Sequence, residues 1–164
     1  MSSEFDDFYR STSRRTLRYA YALAGDVAAA QDITQEAYVR AWQKWSTVSA
    51  YEQPDAWVRL VVARLSTDRW RRIGVRRRFD AAGRPPRSVD PPGEDTVLLT
   101  EALRRLPPRQ RQAVALHYLL DRSVHEIAIE LGTGEGTVKS WLSRGRAALV
   151  RMLTPIAEEA HHAR

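Results

Sequence analysis

The 164-residue chain contains no cysteine, which excludes a disulfide framework and any metal site built on thiolates. No apolar run approaches the roughly 18 residues that a membrane-spanning helix needs, so no membrane insertion is expected. The amino-terminal stretch MSSEFDDFYR is acidic and lacks the apolar core of a signal peptide. These absences predict a protein that stays in the cytoplasm.

Signatures of catalysis are also missing. The sequence shows no Ser-His-Asp arrangement, no phosphate-binding glycine loop and no paired carboxylates in an apolar setting. We therefore expect no catalytic residue, no cofactor and no enzymatic activity. His161 and His162 are adjacent, but they have no other ligand types nearby, so we expect no metal site.

Basic residues concentrate in the middle of the chain. The net charge is +6, and residues 58–87 hold ten basic and two acidic side chains, whereas residues 1–57 are net acidic and residues 88–164 are balanced. A local block of arginine is an electrostatic footprint for nucleic acid or for an anionic membrane.

The first part of the chain predicts three helices. Apolar residues recur at three- and four-residue steps over residues 4–24 and 27–45, with Gly25 ending the first helix and Asp26 capping the second. A polar loop is expected over residues 46–54. Pro54 then suits the first position of a third helix, because that position needs no N–H donor. The first half of this third helix is apolar nearly all round, which predicts the buried centre of a domain.

The predicted second helix has two different faces. Ile33, Ala37 and Ala41 turn towards the core, and the opposite face is polar. That face is either an ordinary exposed surface or a docking surface for a partner. Its polar residues are Asp32, Gln35, Glu36, Arg40 and Gln43.

The end of the third helix carries six arginines within ten residues, without the alternating glutamates of a solvated face. This pattern favours binding to a polyanion, and an aromatic ring among guanidinium groups suits unstacked bases. In the preceding loop, Tyr51 is interpreted as an anchor to the core or, alternatively, as a stacking platform. The basic block comprises Arg69, Trp70, Arg71, Arg72, Arg76, Arg77 and Arg78.

Residues 81–95 are predicted to be a linker, because the stretch 81–94 contains four prolines and two glycines. The predicted fold class is therefore all-α, with two small helical domains over residues 1–80 and 96–156. A frayed tail is expected over residues 157–164.

The second domain contains a helix-turn-helix pattern. A helix over residues 95–106 precedes helices predicted at 109–120, 124–131 and from about 134 onwards. Ser123 and Glu126 form a capping box, Gly132 ends the short helix, and Thr133 can cap the next one. Ala128 is small where two helices must cross closely. A short helix, a glycine turn and a longer helix form the helix-turn-helix motif.

The outer face of the last helix consists of hydrogen-bond donors, as needed to hold phosphates and read base edges. The alternative is an ordinary three-helix bundle with a solvated basic face. The donor residues are Lys139, Ser140, Ser143, Arg144 and Arg146.

Two stretches resemble one known family. DITQEAYVRAW at residues 32–42 and LPPRQRQAVALHYLLDRSVHEIAIELGTGEGTVKSWLSRGRAAL at 106–149 are similar to the two conserved regions of bacterial RNA polymerase sigma factors of the extracytoplasmic-function group, in their minimal two-domain form. The resemblance covers residues 5–78 and 96–153. High arginine and alanine usage hints at an actinobacterial member.

The resemblance implies core RNA polymerase and promoter DNA as partners, and an anti-sigma factor is common in the family. It implies polymerase contacts by Asp32, Gln35, Glu36, Arg40, Trp42 and Gln43. It implies recognition of the promoter −10 element by Val48, Tyr51 and Arg64 together with the basic block. It implies recognition of the −35 element by Gly136, Thr137, Lys139, Ser140, Ser143, Arg144 and Arg146.

Two positions depart from the family pattern. Arg64 stands where many members have Asn. Trp141 stands where many have Arg, and it either packs inward beside Val138 or contacts DNA. Two rival functions remain: a stand-alone regulator that binds operators as a dimer, and an RNA- or membrane-binding protein that uses the basic block.

Overall fold

A computed structural model describes the backbone of residues 2–79 and 94–162 and the side chains of residues 3–74 and 98–154. All regular secondary structure in these ranges is helical, which confirms the all-α prediction. The chain divides into two compact units, residues 1–90 and 91–164. The predicted linker lies outside the described residues except at its end, where residues 94 and 95 already belong to a helix.

The first unit begins with a tight connection between two long helices. Gly25 adopts a left-handed conformation with φ 74°, and the Asp26 carboxylate accepts a hydrogen bond from the Ala29 N–H at 3.3 Å. Both predictions at this turn are confirmed. The second helix ends two residues earlier than predicted, and a separate helical turn replaces the start of the predicted loop. The helices are α1 Ser2–Ala24, α2 Val27–Gln43, α3 Trp45–Val48 and α4 Pro54–Phe79.

The core of the first unit holds a buried hydroxyl network. The Tyr38 hydroxyl lies 2.7 Å from the Thr12 hydroxyl and 2.9 Å from that of Thr16, which joins α2 to α1. Burial raises the pKa of Tyr38, because desolvation disfavours the charged phenolate. Phe8 packs beside Tyr38 and Trp45, which adds aromatic contacts at the same end of the bundle.

Helix α4 supplies the centre of the first unit, as its apolar pattern predicted. Val58 and Val62 are fully buried and pack with α1 and α2. Arg59 is also buried, and its guanidinium donates to the Asp55 carboxylate at 2.8 Å. Leu60 in the same half of α4 is exposed, so one side of this helix faces solvent.

The second unit packs three helices around the longest one. Helix α8 begins at Glu135, one residue too late for Thr133 to be its cap, so that prediction is wrong. It continues to His162, so the prediction of a frayed tail is wrong over residues 157–162. The helices are α5 Glu94–Arg104, α6 Pro108–Tyr118, α7 Val124–Leu131 and α8 Glu135–His162.

The ends of α7 form as the sequence predicts. The Ser123 hydroxyl accepts from the Glu126 N–H, and the Glu126 carboxylate accepts from the Ser123 N–H, both at 3.1 Å. The hydrogen bond from the Ser123 N–H lowers the pKa of the Glu126 carboxyl, and the Ser123 hydroxyl and the Arg122 guanidinium lower it further. Gly132 ends the helix with φ 65°. Local residue types decide both ends, because each cap satisfies backbone groups that the helix itself leaves unpaired.

A buried arginine joins α5 to α6. Arg111 is 8% exposed, and its guanidinium donates to the carbonyl oxygens of Leu103, Arg104 and Leu106 at 2.8–2.9 Å. Burial lowers the pKa of Arg111. The side chain satisfies carbonyls where α5 ends, because the last carbonyls of a helix have no intrahelical partner.

Gly145 lies where α8 passes close to α6. A Cβ atom at this position would lie 2.7 Å from Cγ2 of Val114, well inside the contact distance of carbon atoms. Ala128 is buried as predicted. The sequence pattern did not reveal Gly145, because nothing local shows which residue of α6 faces it.

We expect Gly145→Ala to lower the free energy of unfolding of the second unit by about 1 kcal/mol. Overpacking costs roughly 1–3 kcal/mol, and the helix preference of alanine over glycine offsets about 1 kcal/mol of that. Thermal melts followed by circular dichroism measure the change. Gly136→Ala is the control, since a Cβ there meets no atom within 4 Å. A Gly145→Ala variant as stable as wild type would show that Val114 moves aside freely.

Candidate functional site

The polar face of α2 is fully formed in the first unit. Ile33, Ala37 and Ala41 are buried against the other helices, and this orientation points the polar residues outward. Trp42 on the same helix is 60% exposed. The exposed residues that the sequence assigned to this face are Asp32, Gln35, Glu36, Arg40, Trp42 and Gln43.

Charges on this face are paired only at the surface. The Arg40 guanidinium donates to the Glu36 carboxylate at 2.9 Å, with both side chains about half exposed. An exposed pair of this kind contributes little to stability, so both groups can exchange partners at low cost. No partner of Asp32 or Gln35 is seen within the described residues.

A groove of about 300 Å³ lies between α2 and α4. Its acidic wall is formed by Asp32 and Glu36 of α2, and its basic wall by Arg69 and Arg72 of α4. Ile33 and Ile73 also line the groove. The polar face of α2 therefore continues into a cleft with opposite charges on its two sides.

The loop before α4 differs from the sequence-based assignment. Val48 is 1% exposed, so its side chain belongs to the core, and its assignment to the −10 surface is wrong. Tyr51 is 47% exposed, so its interpretation as an anchor to the core is also wrong. The burial of Val48 anchors the loop, and this leaves Tyr51 accessible for a stacking contact.

The basic block separates into different environments. The Arg69 guanidinium donates to the Asp26 carboxylate at 3.3 Å, and the indole N–H of Trp70 donates to the carbonyl of Leu23 at 3.0 Å. Trp70 is therefore held against the end of α1 and is half-buried, and its contact with DNA stays a prediction. Arg64, Arg71 and Arg72 are exposed. The side chains of Arg76, Arg77 and Arg78 lie outside the described residues, although their backbone belongs to α4.

In the second unit, α8 presents the predicted row of donors. Val138 and Leu142 are buried and fix the phase of the helix, which turns the donors outward. Ser140 is half-buried at the edge of this row. The exposed members are Gly136, Thr137, Lys139, Ser143, Arg144 and Arg146, and we call the face formed by residues 136, 137, 139, 140, 143, 144 and 146 the recognition face.

Two residues of α6 contact the borders of the recognition face, and sequence reasoning missed both. The Arg146 guanidinium donates to the Tyr118 hydroxyl at 3.0 Å. The Arg109 guanidinium carbon lies 6.0 Å from the ring centroid of Trp141. Trp141 is partly buried. These contacts could not be found from spacing, because they depend on how α6 crosses α8.

The described ranges contain neither a metal-binding cluster nor a membrane-spanning helix. No group of three or more His, Asp or Glu side chains is placed there to hold a metal ion, and the side chains of His161 and His162 lie outside those described. Within residues 2–79 and 94–162, no helix combines the length and apolar character that crossing a bilayer requires.

Comparison with known proteins matches both units. The family described as Sigma-70 region 2 matches residues 8–76, and Sigma-70, region 4 matches residues 96–149. An RNA polymerase sigma-E factor of Streptomyces avermitilis is 35% identical over 149 residues, which cover 89% of this chain and 83% of that protein. The ECF RNA polymerase sigma factor SigL of Mycobacterium tuberculosis is 35% identical over 141 residues, covering 80% and 78%. The chain belongs to the ECF group of RNA polymerase sigma factors.

The fold agrees with this family. The sigma factor RpoE of Bartonella quintana, solved in complex with the anti-sigma factor NepR, has a TM-score of 0.77 at 22% identity and covers 92% of this chain and 97% of its own. As a member of the ECF group, this sigma factor binds core RNA polymerase and directs promoter-specific initiation of transcription. The family resemblance seen in the sequence is confirmed, and the Streptomyces and Mycobacterium proteins that match it in sequence are actinobacterial.

Proposed function

We propose that this sigma factor divides promoter recognition between its two units. The polar face of α2 docks on core polymerase, the exposed side of α4 with Tyr51 contacts the −10 region, and the recognition face of α8 reads the −35 element. Each small domain alone binds weakly, and a tether raises the effective concentration of the second contact once the first is made. Polymerase sets the geometry in which both contacts form together.

The recognition face is the observation that supports this proposal most strongly. Its exposed donors share one side of a helix whose opposite side is buried. An α-helix fits the major groove of B-form DNA, and each good bidentate base contact discriminates by about 1–3 kcal/mol. This face has three exposed cations: Arg146 donates to the Tyr118 hydroxyl, whereas no partner of Lys139 or Arg144 is seen among the described residues.

We expect Lys139→Ala and Arg144→Ala each to weaken −35 recognition by about 1–3 kcal/mol, or roughly 5- to 150-fold. Both side chains point away from Val138 and Leu142, so helix content should not change. Run-off transcription with core polymerase on promoters with an intact or scrambled −35 element measures the effect. Arg151→Ala, an exposed arginine further along α8, is the control. Normal output from both variants on the intact promoter would refute the assignment of the face.

At the −10 region, the proposal rests on the exposed Arg64, Arg71 and Arg72 and on Tyr51. Guanidinium groups hold phosphates without regard to sequence, and an exposed ring can stack on an unpaired base. Opening the duplex costs roughly a few kcal/mol for each unstacked base, and trapping such a base on the protein offsets part of this cost. No step of this kind requires a catalytic side chain, so we propose that the sigma factor acts by binding alone.

Two further proposals concern its surroundings. We infer a cytoplasmic location, since core polymerase and promoter DNA are its partners. We also infer regulation by an anti-sigma factor, supported by a protein of the same fold that was solved with one. The rival of a stand-alone regulator has no comparable support, because both matched regions belong to sigma factors.

A further inference from the structure

Both ends of α6 contact α8, the helix that carries the recognition face. Arg109 lies in the first turn of α6, with its guanidinium carbon 6.0 Å from the ring centroid of Trp141. Tyr118 is the last residue of α6, and its hydroxyl accepts from Arg146 at 3.0 Å. Each contact pairs an arginine with an aromatic side chain.

These pairs lie at the two borders of the recognition face. At about 100° per residue, Trp141 is placed roughly 60° beyond Arg144. By the same geometry Arg146 lies roughly 20° beyond Lys139, on the opposite side of the face. Arg109 is therefore brought to the border next to Arg144, although it belongs to another helix.

The charge of Arg109 is available for a ligand. The side chain is exposed, and no carboxylate among the described residues lies within ion-pair distance of it. Its observed neighbour is the neutral indole of Trp141. A guanidinium stacks on an indole through one face, and its N–H groups remain free at the edge. Such an arrangement can still donate to a phosphate.

We propose that Trp141 is a positioning residue that holds Arg109 for a contact with a DNA phosphate at the border of the recognition face. This inference rests on the proposed function, in which that face reads the −35 duplex. The cation–π contact with Trp141 limits the rotamers of Arg109 before DNA arrives, so less freedom is lost on binding. Trp141 of α8 thus contributes to DNA affinity through Arg109 of α6.

The test measures the affinity of the assembled holoenzyme for a promoter duplex as a function of salt concentration. Arg109→Ala should reduce the slope of the log–log plot by about 0.9, and affinity by roughly three- to fivefold, as expected for one lost phosphate contact. Trp141→Leu should give nearly the same change in slope, and the double variant little more than either. Trp141→Phe, which keeps an aromatic face, should retain most of the wild-type slope.

Further variants distinguish a failure of this inference from a failure of the proposed function. Arg105→Ala removes an exposed arginine just before α6 and should leave the slope unchanged. Arg144→Ala reports on the recognition face itself, so a normal affinity in that variant would overturn the proposed function. If Arg144→Ala binds weakly while Arg109→Ala keeps the wild-type slope, this inference alone is wrong. Independent, multiplying effects of Arg109→Ala and Trp141→Leu would also overturn it, as would a Trp141→Phe slope equal to that of Trp141→Leu.

Discussion

Replacing Gln35 and Glu36 together with alanine is expected to abolish transcription and co-purification with core polymerase. Both side chains are exposed on α2 and neighbour Asp32 along the same face. The first 57 residues are net acidic, so this part of the chain does not attract DNA by itself. Polar and charged groups on a rigid helix suit a partner with complementary basic side chains, where they set register and orientation.

The fold of this double variant should remain intact, because neither side chain packs in the core. The Glu36–Arg40 pair is exposed, and losing it costs about 0–1 kcal/mol. Helix content by circular dichroism and general DNA affinity should therefore match those of wild type. Arg14→Ala with Arg18→Ala is a suitable control, since these residues are exposed and four positions apart on α1.

A gel shift with and without core polymerase shows whether specific promoter binding requires polymerase, as it does not for a stand-alone regulator. The double variant should lose polymerase-dependent binding to the promoter. If the free wild-type protein bound the promoter specifically at nanomolar concentration, the requirement for polymerase would be refuted. If the double variant still co-purified with core, the docking surface would lie elsewhere in the first unit.

Arg111→Ala is expected to unfold most of the second unit at physiological temperature. The substitution leaves the carbonyls of Leu103, Arg104 and Leu106 without the guanidinium that they contact. Leaving a buried polar group unsatisfied costs about 1–3 kcal/mol, and the substitution also opens a cavity. A unit of this size has about 4–11 kcal/mol of stability in total, so the loss is a large share of it.

Thermal and urea denaturation of the whole chain measure this effect, with the first unit expected to melt as in wild type. Arg105→Ala is the matched control, since Arg105 is exposed and lies between two of the contacted carbonyls in sequence. Arg111→Lys should recover only part of the stability, because an ammonium cannot reproduce the planar fork of a guanidinium. A wild-type melting curve for Arg111→Ala would mean that water replaces the guanidinium without cost.

Much of the fold could be predicted from the sequence because its signals are local. The Gly25 turn, the Asp26 cap and the Ser123–Glu126 capping box each involve residues at most three positions apart. The helical period also assigned the exposed faces of α2 and α8 correctly. The ends of helices were predicted less accurately: Thr133, the predicted cap of α8, lies one residue too early, and α2 ends before its predicted limit.

The site residues were predicted well where the phase of their own helix sets their exposure, and poorly where packing against other helices sets it. Lys139 and Arg144 follow from the phase that Val138 and Leu142 impose on α8. Val48 was assigned to a surface, yet the turn of α3 buries it. The contacts of Arg109 and Tyr118 could not be predicted, since each is made with a residue of α8 that is distant in sequence.

The sequence by itself determined the all-helical class, the two regions of the sigma family and the polar faces of α2 and α8. Tertiary structure alone decided which polar side chains stay free for a partner. Arg69 pairs with Asp26 across 43 residues, and Trp70 donates to the Leu23 carbonyl across 47. A helix period reports only which side of its own axis a residue occupies. Whether that side meets a carboxylate, a carbonyl or solvent depends on the helix packed against it.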